Sequence, residues 1–301
     1  MKISAQQRAN LLGHQGAVYA LERGPEPGMI FSGGADKMIT AWDLLSGGNL
    51  PFLARLPSPV YSLCYVPEKN LLIAGTSSGA VHLIDLSKKE EVKILRHHTA
   101  QVFDIRYSSV HGRFYTLGGD GTMAVCSIES LSAIRLLKLS SSKLRQMDMD
   151  LGQTELAIAC GDGDIHILDA FTLQEKYRFN GHEFSANAVR FHPNGKTLLT
   201  GGKDAFLKSW NRENQYAPMK AIPAHNFAIY RILFSPDGLL FATASRDKTL
   251  KIWNASDLSF LLRLDKETYS GHVNSVNTLI WTDSLVSAGD DRSLLVWEIK
   301  D

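Results

Sequence analysis

The sequence has few of the features of a secreted or membrane-spanning protein. Three cysteines, Cys64, Cys126 and Cys160, occur among the 301 residues, each within an apolar run, which favours buried thiols in a reducing compartment. No apolar stretch reaches the roughly 18 residues that a spanning helix needs. The opening residues, MKISAQQRAN, contain no apolar segment typical of a signal peptide. We therefore expect a cytoplasmic protein that does not enter a membrane.

An excess of charge of either sign is also missing. The 32 Lys and Arg residues nearly balance the 31 Asp and Glu residues, which gives a formal net charge of +1. A dedicated nucleic-acid-binding or membrane-surface protein would carry a clear basic excess. The balance counts against both classes, although a local patch of one sign remains compatible with it.

Motifs for metal, phosphate and redox chemistry are absent from the sequence. It contains no phosphate-binding Gly-rich loop, no CxxC pair and no HExxH. The segment from Cys160 to His166 resembles a metal loop in composition, but it offers too few oxygen ligands for calcium. Asp162 in this segment also falls in register with an Asp that recurs along the chain. We predict neither a bound metal nor a cofactor.

No segment shows sustained helical periodicity, and the chain instead contains an internal repeat. Seven segments share an alternating run, a short turn usually built on Asp, and a second alternating run. The second runs end at intervals of 42, 42, 42, 42, 43 and 44 residues, at Trp42, Ile84, Cys126, Leu168, Trp210, Trp253 and Trp297. Period-2 alternation bounded by turn sequences such as HPNGK and SPDGL predicts strands. Four short strands in each repeat are typical of a propeller blade.

The repeated units resemble WD repeats from Leu12 to Ile299. The Gly-His pair that opens a WD repeat is present at Gly13-His14, Gly181-His182 and Gly271-His272, and His98 and His225 keep the His alone. The Trp-Asp pair that closes a repeat is present at Trp42-Asp43, and the Trp alone is kept at Trp210, Trp253 and Trp297. The resemblance implies an all-β fold, a seven-bladed WD-repeat β-propeller, with a role in protein binding.

The positions at which the repeats begin and end predict how the ring closes. The last unit ends near residues 297–299 without a fourth strand, whereas an unassigned run precedes His14. A run in that place forms the outer strand of the preceding blade in other units, so residues 6–12 should complete the last blade beside residues 293–299. Such closure removes exposed sheet edges. We predict one propeller over residues 1–301, with blades at approximately 13–56, 57–97, 98–139, 140–180, 181–223, 224–265, and 266–301 plus 6–12.

A His, a Ser or Thr, an Asp and a Trp recur at similar spacings. The complete sets are His14/Ser32/Asp36/Trp42, His182/Thr200/Asp204/Trp210, His225/Thr243/Asp247/Trp253 and His272/Ser287/Asp291/Trp297, and a partial set is His98/Thr116/Asp120. They resemble hydrolytic triads, but several evenly spaced active sites in one small chain make little sense. We interpret them as structural sets in which the Asp accepts from the His, the His donates to the hydroxyl, and the hydroxyl reaches the indole. The second and fourth units lack the set and should rely on packing alone.

The resemblance also places partner contacts on the top face, where the residue five positions after the His points into the mouth of the central channel. In this chain those residues are Tyr19, Tyr61, Phe103, Arg145, Asn187, Tyr230 and Asn277. Tyr61 and Arg145 are located by the repeat register, because their units lack the His. Other charged residues expected on the same face are Lys143, Lys203, Arg246 and Asp290. Aromatic and Arg side chains dominate many binding sites, and this set suits a peptide with a hydrophobic anchor and an acidic or phosphorylated flank. Alternatively, the aromatic residues could plug the channel and the basic residues could be ordinary solvated surface.

The sequence thus favours a non-catalytic scaffold, monomeric on its own, that binds a peptide or protein partner at the top face. One alternative is a reader of phosphorylated ligands or single-stranded nucleic acid, which would use aromatic stacking and basic side chains. Its binding would depend steeply on salt, and the neutral overall charge counts against nucleic acid. A second alternative is a propeller enzyme, which would need acids, histidines or metal ligands in the channel. The predicted mouth offers only Asp290 for such a role.

Overall fold

A computed structural model describes residues 3–300. Within these residues the chain forms seven four-stranded antiparallel sheets arranged as blades, which confirms the predicted seven-bladed β-propeller. The first strand, β1 (Ser4–Leu12), belongs to the last blade. Each of the other blades is a simple meander whose strand order follows the chain from the central channel to the outer rim.

Blades 1 to 3 follow β1 directly. Their strands are β2 (Val18–Arg23), β3 (Met29–Gly34), β4 (Met38–Asp43) and β5 (Gly48–Arg55) in blade 1; β6 (Val60–Val66), β7 (Leu71–Thr76), β8 (Val81–Asp85) and β9 (Glu90–Leu95) in blade 2; and β10 (Val102–Ser108), β11 (Arg113–Gly118), β12 (Thr122–Ser127) and β13 (Ser132–Lys138) in blade 3.

Blades 4 to 6 repeat this order. Their strands are β14 (Leu144–Met149), β15 (Glu155–Cys160), β16 (Asp164–Asp169) and β17 (Glu175–Asn180) in blade 4; β18 (Ala186–Phe191), β19 (Thr197–Gly202), β20 (Phe206–Asn211) and β21 (Ala217–Pro223) in blade 5; and β22 (Ile229–Phe234), β23 (Leu240–Ser245), β24 (Leu250–Asn254) and β25 (Phe260–Leu264) in blade 6.

Blade 7 contains β26 (Val276–Trp281), β27 (Leu285–Gly289) and β28 (Ser293–Lys300). Short 3-10 turns lie at Pro67–Lys69 and Arg212–Asn214, and one helical turn, α1 (Lys266–Tyr269), precedes the last blade. No helix in the described part of the chain is long and apolar enough to cross a membrane.

The hydrophobic core is divided among the junctions between blades. Seven clusters of buried side chains occur, and each joins the facing sides of two neighbouring blades. For example, Phe31 of blade 1 packs with Leu63 and Leu72 of blade 2. A sheet in this arrangement buries both faces, which explains why the inner strands are apolar on successive residues and not only on alternate ones.

The N-terminal strand closes the ring. β1 pairs antiparallel with β28, with Ser4 opposite Lys300 and Leu12 opposite Ser293. Leu11 of β1 packs in the same cluster as Val18 of blade 1 and Leu294 of blade 7. The predicted closure is therefore confirmed, and β1 begins two residues earlier than the predicted run at residue 6.

Every innermost strand contains a β-bulge near its first residue. The pairing between the innermost and second strand skips one residue in each of the seven blades. A bulge leaves the extra residue unpaired and changes the direction of its side chain. The skipped residues are Tyr19, Tyr61, Phe103, Arg145, Asn187, Tyr230 and Asn277.

Polar side chains on the innermost strands also bind the backbone of the next blade. Ser62 Oγ donates to the Val102 carbonyl at 2.9 Å. The Met147 N–H donates to Asp104 Oδ2 at 2.9 Å, and the Val189 N–H donates to Gln146 Oε1 at 3.0 Å. These bonds satisfy backbone groups beside the channel and link neighbouring blades near the centre of the ring.

The closing strand provides a direct test of ring stability. Leu11 is 2% exposed whereas its neighbour Leu12 is 67% exposed. Replacing Leu11 by Ala should lower the free energy of unfolding by about 2–5 kcal/mol, because a buried side chain at the last junction is lost. Leu12→Ala, the matched control, should change it by less than about 0.5 kcal/mol. Urea denaturation measures both values, and equal small effects would show that β1 does not support the ring.

Candidate functional site

The top face is the end of the propeller where the chain enters each innermost strand. His14 precedes β2, and its Nδ1 lies 2.8 Å from Asp36 Oδ2 in the turn between β3 and β4. Loops that enter the innermost strands and turns between the second and third strands therefore share one end. The bulges also lie at this end, because they occur at the start of the innermost strands.

The recurring polar residues form hydrogen-bonded sets in blades 1, 5, 6 and 7. In blade 6, His225 Nδ1 lies 2.8 Å from Asp247 Oδ2, and His225 Nε2 lies 2.7 Å from Thr243 Oγ1. The indole N–H of Trp253 donates to the same hydroxyl oxygen at 3.0 Å. The other three blades repeat these contacts with His14/Ser32/Asp36/Trp42, His182/Thr200/Asp204/Trp210 and His272/Ser287/Asp291/Trp297.

The electrostatics of these sets fix the direction of the hydrogen bonds. Burial lowers the pKa of His225, although Asp247 acts in the opposite direction. Burial alone would raise the pKa of Asp247, but hydrogen bonds led by that from His225 hold it well below its usual range. A neutral imidazole then donates from Nδ1 to the carboxylate and accepts at Nε2. The hydroxyl of Thr243 therefore donates to His225, which reverses the direction predicted from the sequence.

The hydroxyls Ser32, Thr200 and Ser287 occupy the same place in blades 1, 5 and 7. Each lies 2.7–2.9 Å from Nε2 of its histidine and accepts from its indole N–H, and Nδ1 of that histidine faces a carboxylate. Each of these hydroxyls joins the second strand of its blade to the His in the entering loop and to the Trp on the third strand.

The hydroxyl residues of the sets are also completely enclosed by the blades. Ser32, Thr200 and Ser287 are 0% exposed, as are Thr116 and Thr243. A nucleophilic hydroxyl must reach its substrate, and a residue that contacts a partner must have accessible surface. These five residues are therefore not part of a site for a ligand or partner, and their hydrogen bonds hold the strands of each blade together.

Blade 3 completes its set with a second histidine. His98 Nε2 lies 2.8 Å from Thr116 Oγ1, and its Nδ1 lies 3.3 Å from each carboxylate oxygen of Asp120. His97 Nε2 lies 3.0 Å from the same hydroxyl oxygen, where the indole N–H lies in other blades. Burial lowers the pKa of His97 to about 4, so this ring is neutral and its Nε2–H can donate to Thr116.

Blades 2 and 4 do not rely on packing alone, so that expectation was wrong. In blade 2, His82 on the third strand pairs with Glu91 on the fourth. In blade 4, His166 Nδ1 lies 2.5 Å from Glu175 Oε2. Ser140 also donates to the turn residue Asp162 at 2.5 Å. In each of these two blades, a His–Glu pair links the third strand to the fourth strand.

The bulge residues converge on one cavity at the channel mouth. This mouth cavity has a volume of about 350 Å³ and is lined by Tyr19, Tyr61, Phe103, Arg145, Gln146, Asn187, Tyr230, Arg231, Asn277 and Asp290. The structure thus brings together the seven residues that the repeat register placed at the mouth, and Asp290 with them. Sequence reasoning missed Gln146 and Arg231, which directly follow bulge residues. The bulge itself is the missing signal, because it allows two consecutive side chains to face the channel.

Aromatic rings form a continuous wall on one side of the mouth cavity. The rings of Tyr19 and Tyr61 stack with centroids 4.6 Å apart, and Tyr61 meets Phe103 edge-on at 5.6 Å. The guanidinium carbon of Arg145 lies 4.8 Å from the centroid of Phe103. Burial raises the pKa of Tyr19, and Tyr61 and Asp290 raise it further, so this phenol stays neutral.

Two amides at the mouth are already occupied by internal hydrogen bonds. Asn187 is buried and donates to the carbonyl of Ile229 at 3.2 Å. Asn277 donates to the carbonyl of Val18 at 3.1 Å and to Asp290 Oδ1 at 2.7 Å. Asp290 is therefore held at the rim by Asn277, and both asparagines link neighbouring blades.

The remaining basic residues predicted for this face lie on its exposed loops and not in the mouth cavity. Lys143 Nζ is 6.0 Å from the Phe103 ring, Lys203 Nζ is 5.8 Å from the Phe184 ring, and Arg246 Cζ is 6.0 Å from the Phe227 ring. Phe184 and Phe227 are 51% and 57% exposed, and sequence reasoning missed them. Both occur two positions after the His of consecutive units, which is a signal that the sequence did contain.

The channel below the mouth is lined by charged side chains of both signs. Arg190 Nη1 lies 2.8 Å from Asp148 Oδ1. Asp104 lies 3.7 Å from Arg106 Nε and 3.8 Å from Arg231 Nη1, so the second contact joins blade 3 to blade 6 across the channel. Burial raises the pKa of Glu22, which also lines this channel, to about 7. Within residues 3–300 no cluster of His, Cys, Asp and Glu is arranged to hold a metal ion.

Comparison with known families agrees with this geometry. A family model described as WD domain, G-beta repeat, matches residues 5–43, 173–211, 216–254 and 265–298, about half of the chain. The chain belongs to the WD-repeat family. Three matched segments begin in or just before the outer strand of the preceding blade, and the fourth begins just after it. Each segment contains one complete His, hydroxyl, Asp and Trp set. The WD-repeat match therefore follows the blades in which the set is complete.

Three curated proteins that match this chain have low sequence identity to it. The chain is 25% identical to eukaryotic translation initiation factor 3 subunit I of Taeniopygia guttata over 186 residues, 56% of this chain and 56% of that protein. It is 27% identical to serine-threonine kinase receptor-associated protein of Gallus gallus over 201 residues, 66% and 56% of the two chains. Pre-mRNA-processing factor 19 of Oryza sativa subsp. japonica is 25% identical over 199 residues, 64% of this chain and 38% of that protein. The matched region spans about half or less of each of these relatives.

The hydroxyl at the centre of a polar set should be required for stability. Thr243→Val keeps the side-chain shape but leaves His225 Nε2 and the Trp253 indole N–H without partners. We expect a loss of about 1–3 kcal/mol in the free energy of unfolding for each group left unpaired. Thr243→Ser keeps the hydroxyl and should cost only about 1 kcal/mol for the lost methyl group. Chemical denaturation measures the free energy of unfolding of both variants. Similar losses for Thr243→Val and Thr243→Ser would show that packing, and not the hydroxyl, accounts for the lost stability.

The raised pKa of Glu22 predicts a dependence of stability on pH. Between the ordinary carboxyl pKa of 4.5 and about 7, folded Glu22 keeps a proton that the unfolded chain has released. Stability from this group is therefore present at low pH and lost as pH rises through 7. The free energy of unfolding of Glu22→Gln, relative to that of the natural protein, should therefore rise between pH 5 and 8. Allowing for water in the channel, the rise should be on the order of 1–2 kcal/mol. Urea denaturation at the two pH values measures it, and a difference that does not change with pH would contradict the assignment.

Proposed function

We propose that this propeller is a non-catalytic scaffold whose top face binds a peptide or protein partner. The observation that carries the proposal is that seven bulges, one in each blade, direct their unpaired residues into a single cavity. The polar sets that hold the blades repeat, whereas the residues at the cavity differ from blade to blade. Repeated residues suit a structural role, and the variable residues suit recognition of a specific partner.

The chemistry of the top face supports a mixed apolar and basic contact surface. Tyr61 and Phe103 contribute a rigid aromatic wall inside the mouth, and the exposed rings of Phe184 and Phe227 extend apolar surface onto blades 5 and 6. Tyr, Phe and Arg bury large contact areas with little loss of side-chain freedom. A cavity of about 350 Å³ accepts a side chain of a partner and not a whole folded segment.

The charge on this face supports a partner with an acidic or phosphorylated flank. Lys143, Lys203 and Arg246 form no salt bridge with any group in the described residues. The one acid at the mouth, Asp290, is already bound by Asn277. Unpaired cations around an apolar cavity attract a segment of opposite charge and steer its approach.

The acids in the channel support a structural role over catalysis. Asp148 accepts from the Phe191 N–H at 2.8 Å and pairs with Arg190. Asp104 accepts from the Met147 N–H and lies near two guanidinium groups. Carboxylates held by backbone donors and arginines in this way link the blades, and they offer little freedom for acid–base chemistry.

The names of the relatives support a role within a larger protein assembly. One relative is named as a subunit of a translation initiation factor and another as a receptor-associated protein. By analogy we propose that this chain joins a multi-protein complex through its top face. A cytoplasmic location and a monomeric state outside that complex remain our predictions.

The scaffold proposal is tested by removing one aromatic and one basic residue from the mouth. Tyr61→Ala combined with Arg145→Ala should reduce capture of the native partner at least tenfold, because both side chains line the cavity. The melting temperature should stay nearly unchanged, since neither residue is paired in the ladder. Affinity capture from the native source, quantified by mass spectrometry, measures the loss.

The matched control for this experiment lies on the opposite end of the ring. Arg113 and Phe171 form a similar cation–aromatic pair, with 5.4 Å from guanidinium carbon to ring centroid, at the bottom of blades 3 and 4. Arg113→Ala with Phe171→Ala should leave capture intact. Loss of the same partner in both double variants, or in neither, would reject the top face as the binding surface.

A further inference from the structure

Two buried side-chain nitrogens in the described part of the chain lack any hydrogen-bond partner. They are Arg145 Nε and His166 Nε2. His166 lies on the third strand of blade 4, whereas Arg145 lines the mouth cavity. Buried polar groups are satisfied in almost all native structures, so the unsatisfied Nε–H of Arg145 at a cavity wall points to a missing partner.

Arg145 is a cation without a counter-charge. It forms no salt bridge within residues 3–300, and its guanidinium carbon lies 4.8 Å from the centroid of the Phe103 ring. Burial lowers the pKa of Arg145, which is the sign of a charge removed from water without compensation. Because a guanidinium group carries five N–H donors and no acceptor, only an acceptor can complete this site.

A second guanidinium group with an incomplete partner lies at the floor of the same cavity. Arg231 lines both the mouth cavity and the channel below, so it lies where the two meet. Its nearest carboxylate is Asp104 at 3.8 Å, which is too long for a hydrogen bond. Asp104 also serves Arg106 at 3.7 Å. Asp104 is therefore shared by two arginines. Glu22 also acts on Arg231, but no carboxylate lies within hydrogen-bond distance of its guanidinium group in the described residues.

We propose that the mouth cavity binds an anionic side-chain group, a carboxylate or a phosphoryl group, between the guanidinium groups of Arg145 and Arg231. Arginine binds both groups through paired N–H donors. The aromatic wall of Tyr19, Tyr61 and Phe103 stacks on the carbon atoms that carry the acid. The exposed cations Lys143, Lys203 and Arg246 steer the acid toward the mouth.

This inference deepens the proposed function and rests on it in one respect, that a partner chain carries the acidic group. It also changes the expected arrangement of that partner. The sequence suggested a hydrophobic anchor with an acidic flank, whereas the unsatisfied arginines lie inside the cavity. The acidic group is thus the anchor that enters the mouth, and apolar residues of the partner contact Phe184 and Phe227 outside it.

The test uses small probes and the full chain, so it does not require the partner. Phenylacetate and phenyl phosphate carry the two candidate groups on an aromatic ring, and phenylacetamide is the neutral counterpart of phenylacetate. We expect each acid to bind at least tenfold more tightly than phenylacetamide, as measured by NMR titration. The Nε–H resonance of Arg145, identified by its loss in Arg145→Lys, should shift on titration with either acid. Tighter binding of phenyl phosphate would indicate a phosphorylated side chain, and tighter binding of phenylacetate an Asp or Glu.

Variants of the two arginines complete the test. Arg145→Met and Arg231→Met should each weaken binding of the acids at least tenfold, and Arg145→Lys should weaken it less, because Lys keeps the charge without the paired donors. Arg113→Met on the bottom face is the matched control and should bind as the natural protein does. Melting curves establish that each variant is folded. If Arg231→Met does not fold, Arg145→Met and Arg145→Lys are sufficient to test anion binding at the mouth cavity.

Two results would overturn the anion site. One is binding of phenylacetamide as tight as that of the acids, and the other is acid binding that survives in Arg145→Met. These outcomes are distinguishable from failure of the scaffold proposal. Partner capture that depends on Tyr61 and Arg145 without acid binding would reject only the anion site. Acid binding at Arg145 with no loss of the partner in the mouth double variant would reject only the scaffold proposal.

Discussion

Each blade of this propeller buries its two faces only against its neighbours, and this constraint governs the rest of the structure. A four-stranded sheet of 20 to 30 residues cannot form a core alone, and the seven apolar clusters all lie between blades. An open array would leave one face of blade 1 and one face of blade 7 in water. Pairing of β1 with β28 avoids this exposure of apolar surface, because it brings Leu11 into the cluster shared by the first and last blades.

Polar contacts act at two levels on this apolar framework. Within a blade, a His, a hydroxyl, an Asp and a Trp link the second strand, the third strand and two loops, as His225, Thr243 and Trp253 do in blade 6. Between blades, side chains on the innermost strands bind the backbone of the next blade, as Gln146 binds Val189. Blades that lack the first kind of contact use another, the His166–Glu175 pair in blade 4 being one example.

The sequence alone was sufficient to predict the fold, because a 42-residue period and a Trp at its end report the backbone register directly. The same register located the seven residues of the mouth. It could not show which side chains would pair across strands, so the His82–Glu91 pair of blade 2 was missed. Nor could it show that Arg231 faces the channel, because a bulge shifts side-chain direction without changing the period. The hydrogen-bond direction in the polar set of blade 6 depended on burial of His225, which only the three-dimensional arrangement shows.

The bulge at the start of each innermost strand has a consequence for how such a ring can diversify. A residue that the ladder skips contributes no cross-strand pair, so its replacement leaves the register of the neighbouring strands unchanged. Tyr, Phe, Arg and Asn all occupy this place in one chain, in blades of the same geometry. The register of the strands therefore does not depend on which residue occupies the bulge, although Asn187 and Asn277 at this position also link neighbouring blades. Under the proposed function, related chains can acquire new binding preferences by changing the side chains at the bulges while the register of the strands is kept.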